Sequence, residues 1–222
     1  MRYESDMIAP IRECLAERWK DVLLFEEFGV GYGVADVVAA RPSPQGIGRR
    51  RRLGQIAALP RRAEVQVLRA LQQLDAASFQ ELRALTGISP KRLRYETLRL
   101  LVEGNFIAEI EEEVFQRRGS YLPVAREVWA VEAKMKNWFE GLCQARRYQH
   151  FAHRVYLAIF ATNRDRVRDE VLREHNVGLI AVSRSGAEIV LQPRRLEPRS
   201  EELFLLTNER IWQEIHAAAP SA

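Results

Sequence analysis

Three residues set the chemistry available to this chain. Asp36 interrupts the apolar run Val34–Ala40, and Glu132 and Lys134 close a second apolar run that begins at Val128. Side chains alternate along a strand, so Glu132 and Lys134 project from one face while Val131 and Ala133 take the other. An acid inside an apolar strand is costly unless it is paired or bound to a cation, and hard divalent cations prefer carboxylate oxygens. Asp36 and Glu132, with the Ala133 carbonyl, therefore form a candidate set for Mg²⁺ or Mn²⁺. Such an ion acidifies a bound water and neutralises charge building on a phosphoryl oxygen. Lys134 beside it can orient that water and offset charge in the transition state. The parts suit phosphodiester hydrolysis. An acid-x-Lys triplet is a weak signal alone, and a plain buried carboxylate–lysine ion pair is the competing reading.

These residues need a sheet to hold them. Met7, Ile8, Ile11, Leu15 and Trp19 form a helical stripe over Tyr3–Lys20. A strand at Val22–Phe25, a turn at 29–33 and a strand over Val34–Ala40 follow. After the strand at Val128–Lys134, Asn137 caps a helix reaching about Ala152, with Glu140 three residues on. The pattern then predicts a strand over Val155–Phe160, a charged helix over Arg164–His175, strands over Val177–Val182 and Glu188–Leu191, and a last helix over Ser200–His216. Trp129, Trp138, Phe139 and Phe151 are assigned to core packing. His150 and His153 flank the end of the helix capped by Asn137 and could form a metal-ligand pair, but they sit in a surface-looking segment and are read as structural or solvated; His175 and His216 are unremarkable.

Between the two acid-bearing strands the character changes. Residues 41–62 hold three Pro, three Gly, seven Arg and no acid, the composition of a linker or exposed arm. From Ala63 the pattern is helical. Val65, Leu68 and Leu71 mark one helix, Ser78 and Glu81 cap a second over Phe79–Thr86, and Ser89-Pro90 opens a third after the Gly87 turn. Phe106–Ile110 and Val114–Gln116 read as a short antiparallel pair. This is the pattern of a winged helix-turn-helix, whose third helix presents Ser89, Lys91, Arg92, Arg94 and Tyr95 at its N-terminal end, where base edges and phosphates are reached. The arginine run Arg49, Arg50, Arg51 and Arg52 adds a basic arm. Glu109, Glu111, Glu112 and Glu113 at the hairpin tip oppose DNA there, so a module that binds a protein or dimerises remains an alternative.

Composition excludes other classes. Of 222 residues 47 % are hydrophobic and 29 % charged, which rules out a disordered or fibrous chain. No apolar run approaches the ~20 residues of a membrane span, and the N-terminus lacks the apolar core of a signal peptide, so a cytoplasmic protein without membrane contact is expected. Cys14 and Cys143 are too few for a disulfide framework or a cysteine-rich zinc site. The net charge of +4 pulls mildly toward polyanions. Only Lys20, Lys91, Lys134 and Lys136 are lysines, against 30 arginines.

Asp36 on one strand, Glu132-Ala133-Lys134 on the next, and the order helix–strand–strand–insert–strand–helix–strand resemble the PD-(D/E)XK, or restriction-endonuclease-like, nucleases. Gln144 and Tyr148 resemble the Gln-x-x-x-Tyr element of the branch containing RecB-type nuclease domains and lambda exonuclease. The likeness covers roughly 1–41 and 124–192. Val34-Ala35 departs from the proline-containing start of the motif, and the insert lengthens the connection between the acids to about 90 residues, which loop-closure entropy permits if its ends return together. The resemblance implies an α/β fold, with a mixed sheet flanked by helices (1–41 and 124–222), a basic linker (42–62) and an inserted, all-helical winged helix-turn-helix domain (63–123). It further implies a Mg²⁺- or Mn²⁺-dependent DNA nuclease leaving a 5′-phosphate. Asp36, Glu132 and the Ala133 carbonyl would be ligands and Lys134 would position the water. Gln144 and Tyr148 would orient the strand, with Glu4 as a further acid and Glu26 or Glu27 as alternatives. Two other functions stay open: an inert DNA-binding regulator on a nuclease-like scaffold, and a subunit that meets a protein partner or a second copy through the insert.

Overall fold

Apolar alternation becomes sheet and apolar spacing of three and four becomes helix, in a computed structural model that describes residues 3–31, 33–59 and 61–217. Tyr32 of the expected turn, Pro60 of the expected linker and residues 218–222 lie outside that range. A 3₁₀ turn at Glu4–Met7 leads into α1 (Ile8–Ala16), β1 (Leu23–Gly29) and β2 (Val34–Pro42). Then come α2 (Pro44–Arg52), α3 (Arg62–Leu74), β3 (Ala76–Ser78), α4 (Phe79–Thr86), α5 (Pro90–Arg92), a π-helical segment Leu93–Leu98, and α6 (Arg99–Glu103). The strands β4 (Ile107–Glu111), β5 (Val114–Arg117) and β6 (Ala125–Lys134) are followed by α7 (Trp138–Tyr148) and β7 (Arg154–Phe160). A 3₁₀ stretch (Ala161–Arg166), α8 (Asp169–Glu174), β8 (Gly178–Ser183), β9 (Gly186–Leu191) and α9 (Glu201–Ala217) complete the order.

The chain divides into two units, 1–42 with 125–204, and 43–124 with 205–222. The first is a mixed α/β unit. Its six strands run β1-β2-β6-β7-β8-β9, with β6, β7 and β8 parallel and the remaining neighbours antiparallel. On one face, Met7 of the 3₁₀ turn and Ile11 and Leu15 of α1 pack on Val37, Ala39, Val131, Ala133 and Tyr156. Residues of opposite parity on β2 and β6, Asp36 and Glu132 among them, face the other side. That side is covered by α7, whose cap at Asn137 accepts the Glu140 N–H at 3.2 Å.

His153 lies in this unit, buried rather than at the surface as the sequence suggested. Its Nδ1 accepts the Val128 N–H at 3.1 Å, and its ring stands edge-on to Phe204. Burial, aided by Arg195, pushes the imidazole from 6.5 down to about 4. Between those values the unfolded chain holds the extra proton, so stability falls as pH drops through that window, by about 3 kcal/mol in full. Denaturant melts of wild type and His153→Gln across the window test this; the same slope in both would remove His153 as the cause.

The second unit corrects the expected linker. Residues 44–52 form a helix, with Ser43 accepting the Gly46 N–H. Gly46 fits because a Cβ there would sit 2.0 Å from the Pro123 carbonyl oxygen. Arg50 is 2 % exposed, so it is core and not part of a basic arm. Its guanidinium pairs with Glu209 at 2.6 Å, donates to the Gln55 and Ala57 carbonyls, and lies over the rings of Phe106 and Trp212. The last helix is therefore shared: Leu205 onward belongs to the second unit, not to the sheet unit as expected. Trp212 Nε1 donates to the Ile56 carbonyl at 2.7 Å.

Helices α3 to α6 enclose a core of Val67, Leu71, Phe79, Leu82, Leu93 and Leu101. The capping box at Ser78 and Glu81 and the left-handed Gly87 (φ +65°) form where the sequence places them. Ser89 occupies the cap position but makes no side-chain capping bond. The unit is not all-helical, because β3 joins the hairpin in a three-stranded sheet ordered β3-β5-β4. The ends of the 43–124 segment return together: the Ser43 N–H donates to the Val124 carbonyl at 2.7 Å.

Candidate active site

Asp36 and Glu132 reach one place because β2 and β6 are antiparallel neighbours in a register that pairs Val37 with Val131. Asp36 Oδ2 accepts the Ala133 N–H at 2.7 Å, which fixes the carboxylate across the strand end. Glu132 is 3 % exposed. Its Oε1 meets Lys134 Nζ at 3.1 Å and its Oε2 accepts from the Tyr148 hydroxyl at 2.5 Å. That hydroxyl also lies 2.7 Å from the Val34 carbonyl oxygen, so two acceptors compete for one proton.

Electrostatics follows from crowding. Burial pushes the Asp36 carboxyl above its usual range, and the charges of Glu4 and Glu27 add to this against the Ala133 N–H and Lys134. Burial likewise raises Glu132, with Asp36 adding to the shift and Tyr148 and Lys134 opposing it. Burial works against the Lys134 ammonium, yet the hydrogen bond and charge of Glu132, with Glu4 and Asp36, hold its pKa above the ordinary lysine value. Burial and the Glu132 carboxylate push the Tyr148 phenol far up, so it stays a proton donor. The half-buried Asp36 and the buried Glu132 carboxylates repel each other beside one lysine, and a cation would relieve that repulsion.

The outer acids separate by position. Glu4 Oε1 accepts the Met135 N–H at 3.0 Å and Oε2 lies 3.9 Å from Lys134 Nζ, so the 3₁₀ turn brings it to the lysine. Glu26 pairs with Arg12. Glu27 falls between the Glu26–Val37 and Phe28–Ala35 pairs, at φ +47°. Among the described residues no cluster of three or more His, Cys, Asp or Glu side chains is disposed to hold a metal. A cation here would rest on the Asp36 and Glu132 carboxylates and the Ala133 carbonyl. The donor set, all oxygen and net negative, fits a hard divalent ion.

Tyr148 and Gln144 of α7 differ in their surroundings. Tyr148 is buried and its hydroxyl is bonded to Glu132, an arrangement that orients the carboxylate. Gln144 is half-buried, one turn earlier, and its Oε1 is enclosed without a hydrogen-bond partner. Sequence reasoning passed over Gly141. A Cβ there would fall 2.7 Å from Lys134 Cγ and 2.5 Å from Leu157 Cδ1, so only glycine lets α7 lie against the lysine stem. Its one signal was a glycine in the middle of an amphipathic helix.

In the second unit Ser89, Lys91, Arg92, Arg94 and Tyr95 are exposed at the start of the third helix, Tyr95 by 66 %. Arg94 is not free: it pairs with Glu113 of the hairpin and stacks over Phe79 at 4.3 Å. The acidic tip thus engages the helix itself. Of the arginine run, Arg49 donates to the Ser120 carbonyl and Arg50 is buried, leaving Arg51 and Arg52 exposed.

No protein-family model matches the chain, and no curated protein is detectably similar to it. A solved Silicibacter pomeroyi protein of unknown function aligns over 97 % of this chain and 88 % of its own, at 12 % identity and a TM-score of 0.46. No helix among the described residues is long and apolar enough to cross a membrane.

Proposed function

We propose that the protein is a divalent-cation-dependent nuclease that hydrolyses phosphodiester bonds in DNA. The observation that carries this reading is the convergence of Asp36, Glu132 and Lys134 on one face of the sheet. Mg²⁺ or Mn²⁺ would be held by Asp36, Glu132 and the Ala133 carbonyl, and when bound it supplies charge neutralisation at the phosphoryl group and acidifies a water. Lys134, kept cationic by the carboxylates, orients the attacking water and offsets charge on the phosphate. Tyr148 holds Glu132 in one rotamer through its hydroxyl, and Glu4 steadies the lysine from the other side. The restriction-endonuclease-like resemblance of the motif and strand order is consistent with this assignment and implies a 5′-phosphate product. The exposed Lys91, Arg92, Arg51 and Arg52 of the second unit supply phosphate contacts.

One observation favours a second reading. Both Glu132 oxygens already have partners, Lys134 and Tyr148, as expected of a closed ion pair in an inert DNA-binding protein. Supercoiled plasmid and linear duplex incubated with Mg²⁺ or Mn²⁺ separate the two. Wild type should nick and linearise plasmid, and folded Glu132→Ala and Lys134→Ala should not. Equal cutting by all three would mark a contaminant, and a gel shift without any cutting would favour the inert reading.

A further inference from the structure

The two aromatic residues opening α7 do not behave as the core residues the sequence suggested. Phe139 is 58 % exposed and Trp138 is half-buried. Their rings meet edge to face, centroids 5.8 Å apart and planes at 88°, which leaves a Phe139 face open to solvent. A single exposed phenyl is ordinary on a protein surface, and it is the groups around it that say whether something covers it.

Its neighbours indicate what. Gly141, Leu142, Ala145 and Tyr148 form the buried side of α7, whereas Phe139, Cys143, Arg146 and Arg147 lie on the exposed side, with Lys136 just ahead of the helix. None of Lys136, Arg146 or Arg147 makes an ion pair among the described residues. Glu140, the acid in the same turn, is taken by the Asn137 side chain. The surface thus offers an aromatic ring and three free cations, which is complementary to a polyanion carrying flat apolar groups. Aromatic faces beside a basic track are how unpaired nucleotides are held without regard to sequence. A base inside a duplex offers no free face.

We infer that the exposed face of α7 is a single-strand platform, on which an unpaired base stacks against Phe139 while Lys136, Arg146 and Arg147 take the flanking phosphates. The inference rests on the nucleic-acid reading above and narrows its substrate to DNA with a single-stranded segment, such as a tailed or frayed end. The buried side of the same first turns abuts the Lys134 stem at Gly141. Phe139 is therefore about one helix diameter, roughly 10 Å, from the candidate site. A strand anchored there would leave its neighbouring phosphodiesters within reach of Lys134.

The test measures binding in EDTA, where no cutting occurs. Fluorescently labelled blunt duplex, and the same duplex with an oligo-dT tail, are titrated with wild type, Phe139→Ala and Phe139→Tyr while anisotropy is followed. Wild type should prefer the tailed duplex. Phe139→Ala should lose roughly 5- to 100-fold on the tailed duplex, the worth of one stacked base, and little on the blunt one. Phe139→Tyr should restore the preference. Equal affinity of wild type for both substrates, no DNA binding at all, or an effect of Phe139→Ala on sedimentation alone would overturn the platform, the last marking a self-association surface. The nuclease assignment fails separately: a tail preference that depends on Phe139 in a protein that never cuts would keep the platform and remove the enzyme.

Discussion

Asp36→Asn should lower plasmid cleavage by about 10³-fold, several kcal/mol of lost transition-state stabilisation, while the melting temperature stays level or rises. Both halves come from one arrangement. Asparagine keeps an oxygen for the Ala133 N–H, so the strand-end contact survives. It removes a negative charge from a half-buried place already pressed by Glu4, Glu27 and Glu132. A carboxyl whose pKa is raised on folding contributes stability that is greatest below its unfolded pKa and declines as pH rises through the folded one. At neutral pH the wild-type charge is thus a cost to the fold, and a cost retained at a site is a mark of function. Cleavage rate and thermal unfolding on one preparation decide it. Unchanged cutting would remove Asp36 from the chemistry, and a large drop in melting temperature would make it a structural residue.

Glu209→Ala should destabilise the second unit by about 3–5 kcal/mol, the usual result of leaving a buried charge without its partner. Glu209 is 1 % exposed and serves three groups: Arg50, the Tyr121 hydroxyl at 2.7 Å and the Leu59 N–H at 2.8 Å. Without it the Arg50 guanidinium keeps only the Gln55 and Ala57 carbonyls and two ring faces. Replacing both partners, as in Arg50→Met with Glu209→Leu, should recover much of the loss, because an apolar pair leaves no stranded charge. Urea unfolding of wild type and these two variants reads this directly. A single-variant loss under about 1 kcal/mol would mean that water reaches the pair.

The candidate site was largely legible in the sequence, and the reason is local. A strand alternates with period two, so an acid inside an apolar run declares its own face, and Glu132 and Lys134 two apart must share one. Val37 and Val131 in register then bring Asp36 alongside. The residues that escaped were those whose environment is made by distant chain. Four consecutive arginines read as solvated, and nothing near them reveals that Arg50 alone turns inward, because its carboxylate stands 159 residues away. Tyr148 shares a helix face with Gln144 as the spacing indicates, but its bond to Glu132 stayed hidden, since that partner belongs to another element. Phe139 misled for the opposite reason: an aromatic is assumed to seek the core unless a structure shows a helix back left bare.

The interior that Arg50 helps to fill has a consequence for synthesis. Residues 43–124 leave the ribosome some eighty positions before Glu209 and Trp212 do. Until those arrive, the guanidinium has no counter-ion, and the indole ring beneath it is missing. The nascent segment can pair its hairpin and stack its short helices, but its final packing waits for Glu209 and Trp212. Arrival of the last helix, not emergence of the segment itself, is the event that locks this part of the molecule.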